Sequence, residues 1–551
     1  MDLDSIWHDL GQYGKYQFIN NILLGLAICF SATSSMSYVF TAGDLDYRCR
    51  IPDCDNVEGR LEFLPQWLRF AVPFKSEAEE VPAKCDRFVT APDFQDDLNV
   101  IDACPSARFR TNETERCSHW VFKDTENTIL KEFDLMCDNN RWKLTLVGTV
   151  NNIGQFVGLP IGGMISDAYG RRFLMVTGTL LSAMFGIMRA FSTNYIMFLV
   201  FEFLDAVAST GVFGAVFIIG LELVGPSKRV LSSTILSCFF PIGEVLMGLV
   251  MWWLQDWRSF LLAVYLPGLF FVSYFWITPE SIRWLAMKNR YKEVVSIIRS
   301  IEIANDKKLS ENLENKLDLL PLDNRTIPDI TEIVSILAKM FHTVDEIIIL
   351  NYLWILFQDD QYFRFYGLSL NATDIAGNKY LNYIAVSCAE LPAFIGTYFL
   401  MDRVGRRPAQ SLSLSVCGLV CIAFMVIVRM SLFLIGKLMI TMSFTIIYVF
   451  TIEMFPTELR HSLLGTCSML GRFGSMIAPQ TPLLATYFGT YVPVLLFGTV
   501  SLTSGALAML FPETLNQKLP DTVEDESHNH TNNSLQIHEV IQICQQSLKY
   551  F

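Results

Sequence analysis

The chain has 551 residues, 52% of them hydrophobic, 13% aromatic and only 18% charged, with a mean hydropathy of +0.35. That balance excludes a soluble protein of this length and points to a polytopic membrane protein. The formal net charge of −13 says nothing of nucleic acid, because much of the acid lies between the first two apolar stretches and in the tail; no nucleic-acid partner is expected.

A helix needs about 20 apolar residues to cross a bilayer, and twelve stretches of roughly that length can be counted. They centre on residues 18–41, 145–165, 173–191, 195–221, 231–254, 259–278, 344–366, 379–400, 410–429, 431–453, 462–484 and 488–511. Residues 1–15 are acidic and polar, and the first apolar stretch is long enough to span, so a cleaved signal peptide is not expected. Short loops rich in Lys and Arg stay in the cytoplasm. Here Arg171, Arg172, Lys228, Arg229, Arg403, Arg406, Arg407 and Arg460 all follow even-numbered spans, as does the long stretch 286–342. Both termini are therefore expected inside, and the first loop outside.

That outer loop, 43–142, holds Cys49, Cys54, Cys85, Cys104, Cys117 and Cys137. An even count in an oxidising compartment reads as disulfides, with 15 pairings open. Asn112 in the same loop and Asn371 after the seventh span are the sequons expected to carry sugar; those at Asn324, Asn529 and Asn532 fall inside. The tail 515–551 reads as a polar trafficking or regulatory segment.

Asp167-Ala-Tyr-Gly-Arg-Arg172 returns 235 positions later as Asp402-Arg-Val-Gly-Arg-Arg407, each copy just after an apolar span. One charged turn repeated at half the useful length implies two copies of one bundle. The predicted units are an N-terminal segment 1–17, a six-helix half 18–285, a central cytoplasmic loop 286–342, a second half 343–514 and the tail 515–551. Such turns have the composition of a latch: Asp167 with Arg171 and Arg172, and Asp402 with Arg403, Arg406 and Arg407, pairing when the inner face closes. Gly170 and Gly405 supply backbone freedom for the turn.

Together with these turns and the cysteine-rich loop, several motifs stand in a fixed order: Glu222-Leu-Val-Gly-Pro-Ser-Lys-Arg229, Asp256-Trp-Arg258, Pro279-Glu-Ser-Ile-Arg-Trp-Leu285, Tyr366-Gly-Leu-Ser-Leu370, Glu453-Met-Phe-Pro-Thr-Glu-Leu-Arg460 and Phe511-Pro-Glu-Thr514. Over essentially its whole length the chain resembles a major facilitator superfamily transporter and, within it, the organic ion transporters of solute carrier family twenty-two. The resemblance implies an all-α membrane protein of twelve transmembrane helices in two six-helix halves. It also implies a plasma-membrane carrier of small organic ions working by alternating access without ATP. No cofactor, metal-ligand spacing, Walker loop or nucleophile elbow occurs, so no enzyme is expected; oligomeric state is not legible.

A charge at the bilayer centre costs about 2.5–3.5 kcal/mol on insertion scales and so needs a partner, a wet cavity or a function. The predicted spans carry Glu202, Asp205, Glu244, Asp359, Asp360, Arg364, Glu390, Lys437 and Arg472, an acidic excess that favours a cation. Glu390 matches a family position facing the central cavity, which leaves open a cation contact or a structural pair with Lys437 or Arg472. Arg472 matches a position where anion and carnitine carriers of the family tend to have arginine. A zwitterion would reconcile the two, with its carboxylate on Arg472 and its cation near Glu390 and Glu244. Tyr362, Phe365, Phe239, Phe240, Phe444 and Tyr448 could offer ring faces to a quaternary ammonium. Glu222, Arg229, Glu453 and Arg460 read as gate or scaffold pairs near the cytoplasmic ends. Two departures from the family stand out: Glu202, where arginine is frequent, and the polar run 358–364, read as either a distinctive site or a helix end shifted into water. The alternatives are an organic anion exchanger using Arg472 and Lys437, and a transport-silent surface receptor.

Overall fold

The computed structural model describes residues 7, 9–52, 54–55, 62–74, 82–90, 104, 106–308, 359–372, 377–426, 430–454, 468–489, 491–509, 511 and 513–514. The first half comprises α1 (Lys15–Met36), α2 (Asp138–Tyr169), α3 (Arg171–Ala190), α4 (Tyr195–Glu222), α5 (Arg229–Leu254) and α6 (Trp257–Tyr265), the last continuing through a 3₁₀ stretch to Ile277. The second half comprises α7 (359–371), α8 (Lys379–Val404), α9 (Arg406–Val426), α10 (Met430–Met454), α11 (Arg472–Ile477, running through Ala478–Gln480 into Thr481–Phe488) and α12 (Tyr491–Ala508). Among the described residues, nine of these helices are long and apolar enough to cross a membrane. The other three are α2, α7 and α11. The buried polar residues Asn151, Asn152 and Gln155 lower the hydropathy of α2, and the predicted spans 344–366 and 462–484 begin outside the described residues. The predicted central loop is not all loop: Tyr291–Asn305 is helical. The tail lies outside the described residues.

Small residues let the helices approach closely, as membrane packing requires where lipid removes the hydrophobic drive. On α2, a Cβ at Gly154 would sit 2.7 Å from Phe203 O, one at Gly158 2.6 Å from Val207 O, and one at Gly162 3.0 Å from Gly211 Cα. This i, i+4, i+8 stripe seats α2 directly on the backbone of α4.

The segment between α1 and α2 folds on itself. Strand β1 (Tyr47–Cys49) pairs antiparallel with β4 (Trp120–Phe122), and β2 (Asp86–Thr90) with β3 (Phe109–Arg116). Three disulfides join Cys49 to Cys117, Cys54 to Cys104 and Cys85 to Cys137. They enclose a small core with Ile51, Leu68, Val72 and Phe109. Buried Arg48 donates to both oxygens of Asp55, at 2.9 and 2.8 Å. Because Cys137 immediately precedes α2, this unit marks one face of the bundle, the loop face; the Gly170 turn at the other end of α2 marks the opposite, turn face.

Contacts between the halves lie at mid-membrane and toward the loop face. Thr145 and Thr149 of α2 hydrogen-bond Gln480 at 2.9 Å each, and Thr149 also donates to Met476 O at 3.1 Å. Phe40 packs on Tyr380 and Tyr383, Trp252 stacks on Tyr380, and Lys379 pairs with buried Glu126.

Candidate functional site

At the turn face the two repeated turns share one geometry. Gly170 and Gly405 have φ of +108° and +98°, a region that side chains rarely adopt. Each turn opens a helix whose first amide groups need acceptors, and in each a glutamate from elsewhere supplies them. Glu280 accepts from Arg171 N at 3.0 Å and Arg172 N at 3.1 Å; Glu513 accepts from Arg406 N at 2.9 Å and Arg407 N at 3.1 Å. Burial pushes the Glu280 carboxyl above its ordinary range, opposed by the amides of Ser281 and Arg172.

Asp167 pairs with Arg171 at 3.1 Å, one helical turn away. Arg172 instead donates to Thr278 O at 3.3 Å and lies over the Phe275 ring. Arg406 donates to Met401 O at 3.1 Å, and Ser281 donates to Glu222. Arg229 opens α5. The side chains of Asp402 and Glu453, and all of Arg460, lie outside the described residues.

At mid-membrane in the second half, α7, α8, α10 and α11 bring together Tyr362, Phe365, Glu390, Lys437, Phe444, Tyr448 and Arg472. Lys437 Nζ, fully buried, sits 2.8 Å from Glu390 Oε1, 2.6 Å from Ser369 Oγ and 3.5 Å above the Phe365 ring centroid. This ion pair engages Glu390 Oε1, while Glu390 Oε2 has no hydrogen-bond partner. Glu244 of α5, 1% exposed, faces Glu390 and Lys437 from the other half and has one oxygen without a donor. Arg472 Nη1 donates to Gln155 Oε1 at 2.6 Å and to Tyr366 Oη at 3.0 Å, and its guanidinium lies 5.0 Å from the Tyr362 ring centroid. Tyr362 also hydrogen-bonds Tyr448 and packs edge-on against Phe444. Close approach of α7 and α11 depends on Gly474, where any Cβ would collide with Asp359 O.

Phe240 stands apart from this group, packed on Phe213 among the aromatic residues of the first half. Asn371 is packed inside the bundle. It is 8% exposed, and its amide nitrogen donates to Gly367 O at 2.7 Å and Thr481 Oγ1 at 2.9 Å, which leaves that nitrogen no access for a sugar. Asn112 is exposed on β3. The unusual charges of α7 serve packing: Arg364 pairs with Asp360 and donates to Ser501 at 2.9 Å, and Ser504 donates to Asp360.

Sequence reasoning missed a buried network in the first half. Arg189 of α3 pairs with Glu202 and lies 3.7 Å from Asp205 Oδ2, all three side chains being 0% exposed. Arg189 also donates to Ser37 Oγ at 2.9 Å and Tyr265 Oη at 3.1 Å. Asp205 accepts from Tyr265 at 2.5 Å and Ser34 at 2.9 Å. Asn151 donates to Glu202 at 2.7 Å and Gln155 donates to Asn151 at 2.7 Å. Since Gln155 accepts from Arg472, the chain of hydrogen bonds crosses from one half to the other. The signal was present: Glu202 without its usual arginine needs a cation, and Arg189 lies at the end of a predicted span.

Two pseudo-equivalent bundles meeting at a buried polar centre define a membrane carrier of the major facilitator class, and a family model for the Major Facilitator Superfamily matches residues 140–479. The chain belongs to that superfamily. Among curated proteins it is similar to solute carrier family 22 member 4 of Mus musculus, 29% identical over 95% of this chain and 94% of the relative. It is equally similar to organic cation/carnitine transporter 2 of Mus musculus (29%, 95% and 93%) and to the organic cation transporter protein of Drosophila melanogaster (29%, 95% and 94%). Among solved structures it resembles the xylose transporter XylE from E. coli in a partially occluded inward open conformation. That likeness has a TM-score of 0.56 at 16% identity over 71% of this chain and 93% of XylE; it establishes the fold. The chain is a multi-pass membrane transporter, not an enzyme.

Proposed function

We propose that this transporter moves small organic cations or zwitterions across the plasma membrane by alternating access, with both termini cytoplasmic and without a coupled ion. The observation that carries this reading is the mid-membrane centre itself. Glu244 of the first half and Glu390 of the second each keep a buried oxygen without a hydrogen-bond partner, while Arg472 is held by neutral partners, Gln155 and Tyr366. Among the described spans the buried charges are Glu202, Asp205, Glu244 and Glu390 against Arg189, Arg364 and Lys437, with half-buried Asp360 beside Arg364. With half-buried Asp359 and Arg472 added, the acids still lead, so a positive guest is favoured. The names of the relatives, organic cation and carnitine transporters, agree with that sign. One positive charge moving inward gains about 2.3 kcal/mol per 100 mV, enough for roughly fifty-fold accumulation.

An anion exchanger is disfavoured because Lys437 is engaged by Glu390, Ser369 and Phe365, which leaves Arg472 alone. In the same reading the Gly170 and Gly405 turns, with Asp167, Arg171, Arg172, Asp402, Arg406 and Arg407, are gate elements. Glu222, Arg229, Glu453 and Arg460 support them, and Asn112 carries the glycan.

The test is uptake of labelled substrates into cells with verified surface protein. Arg472→Asp should abolish uptake of a zwitterion while sparing a simple cation, and Glu390→Gln should lower uptake of both. Unchanged zwitterion uptake in Arg472→Asp would remove the assignment, as would strict dependence of uptake on sodium or on an imposed proton gradient.

A further inference from the structure

Resting on that reading, we infer that the cationic end of the substrate is an ammonium that carries N–H bonds, a primary or secondary amine, and that the site discriminates against quaternary ammonium. Two independent observations lead there.

The first concerns acceptors. Glu390 Oε1 is paired with the Lys437 ammonium at 2.8 Å, but Glu390 Oε2 and one oxygen of Glu244 are buried without a hydrogen-bond partner. Buried polar atoms in native proteins nearly always find partners, and a carboxylate oxygen is best satisfied by a charged N–H donor. A protonated amine offers two or three such donors from one atom. A trimethylammonium group offers none, and it would leave each acceptor desolvated and unmatched.

The second concerns ring faces, which are what a site uses to hold a quaternary ammonium. Two of the faces that sequence reasoning offered for this are occupied by the protein's own cations. Lys437 Nζ covers Phe365 at 3.5 Å, and the Arg472 guanidinium covers Tyr362 at 5.0 Å. Phe444 is sandwiched between them, stacked on Phe365 at 4.9 Å and edge-on to Tyr362 at 5.0 Å. Phe240 is elsewhere. The chemistry of this centre is therefore that of carboxylate oxygens left short of donors rather than an aromatic cage. A site built to hydrogen-bond an N–H strongly rejects an analogue lacking it, because its own acceptors are then left unpaired.

The experiment compares two matched pairs on the full-length wild-type carrier in cells with surface expression verified: phenethylamine against its N,N,N-trimethyl derivative, and 4-aminobutyrate against its N,N,N-trimethyl derivative. For whichever pair is transported, the N–H member should have at least a ten-fold higher kcat/KM than the methylated one. Glu244→Gln should narrow that ratio, and Glu390→Asp should preserve its sign. Equal or preferred uptake of the trimethylated members would overturn the inference while leaving a cation or zwitterion carrier intact. Failure of all four compounds to enter would bring down the proposed function, and this inference with it.

Discussion

Arg189 decides how the first half tolerates two carboxylates in a dry environment. It is the one cation in contact with Glu202 and Asp205 among the described residues, and all three are fully buried. Removing one partner of such an assembly leaves uncompensated charge, which typically costs about 3–5 kcal/mol. Arg189→Ala is therefore expected to lower the thermal midpoint of the detergent-solubilised protein sharply. Adding Glu202→Gln to Arg189→Ala should recover part of the loss by removing one of the stranded charges. Glu202→Gln alone should be mild, because Asp205 still neutralises the guanidinium and glutamine can keep the Asn151 contact. A double mutant no more stable than Arg189→Ala would show that the carboxylates are not what the arginine compensates.

At the scale of elements, the turn-face helices α3 and α9 begin on glutamates, Glu280 and Glu513, that come from the ends of the two halves. Positive φ at Gly170 and Gly405 brings the following amides round to Glu280 and Glu513, and a Cβ at either glycine would strike that carboxylate. Gly170→Ala should therefore misfold or reduce surface expression through both strain and collision. Glu280→Gln, which keeps the shape but puts an amide NH₂ against backbone N–H groups, should cost about 1–3 kcal/mol in stability. The matching Glu513→Gln should behave alike; widely different losses at the two positions would break the pseudo-equivalence. The repeat was legible because glycine and arginine recur in the same order, and of the twelve apolar stretches counted in the sequence, nine match helices long and apolar enough to cross a membrane among the described residues. The partner of each turn was less legible. Glu280 and Glu513 recur as Pro279-Glu280-Ser281 and Pro512-Glu513-Thr514, but a carboxylate more than 100 residues from the amides it caps leaves no local trace. Glu390, Lys437 and Arg472 were legible as charges in apolar spans, whereas Asn371 looked exposed only because a sequon says nothing of burial.

For the whole molecule, the distribution of contacts defines the conformational state. The halves touch through Thr145, Thr149 and Gln480, through Phe40 with Tyr380 and Tyr383, and through the Lys379–Glu126 pair, all toward the loop face. The turns instead bond within their own halves. A carrier that alternates must part the first set of contacts to receive substrate from the loop side, and its mid-membrane acids must exchange donors as it does so. A cysteine pair at Thr145 and Gln480 should therefore cross-link readily under oxidising conditions and hold the loop face shut. Uptake should fall to background and return on reduction, while substrate added before oxidation should slow cross-linking if it favours the loop-open state. Full transport by the cross-linked protein would mean that these contacts never part during the cycle, and the loop face would not be a gate.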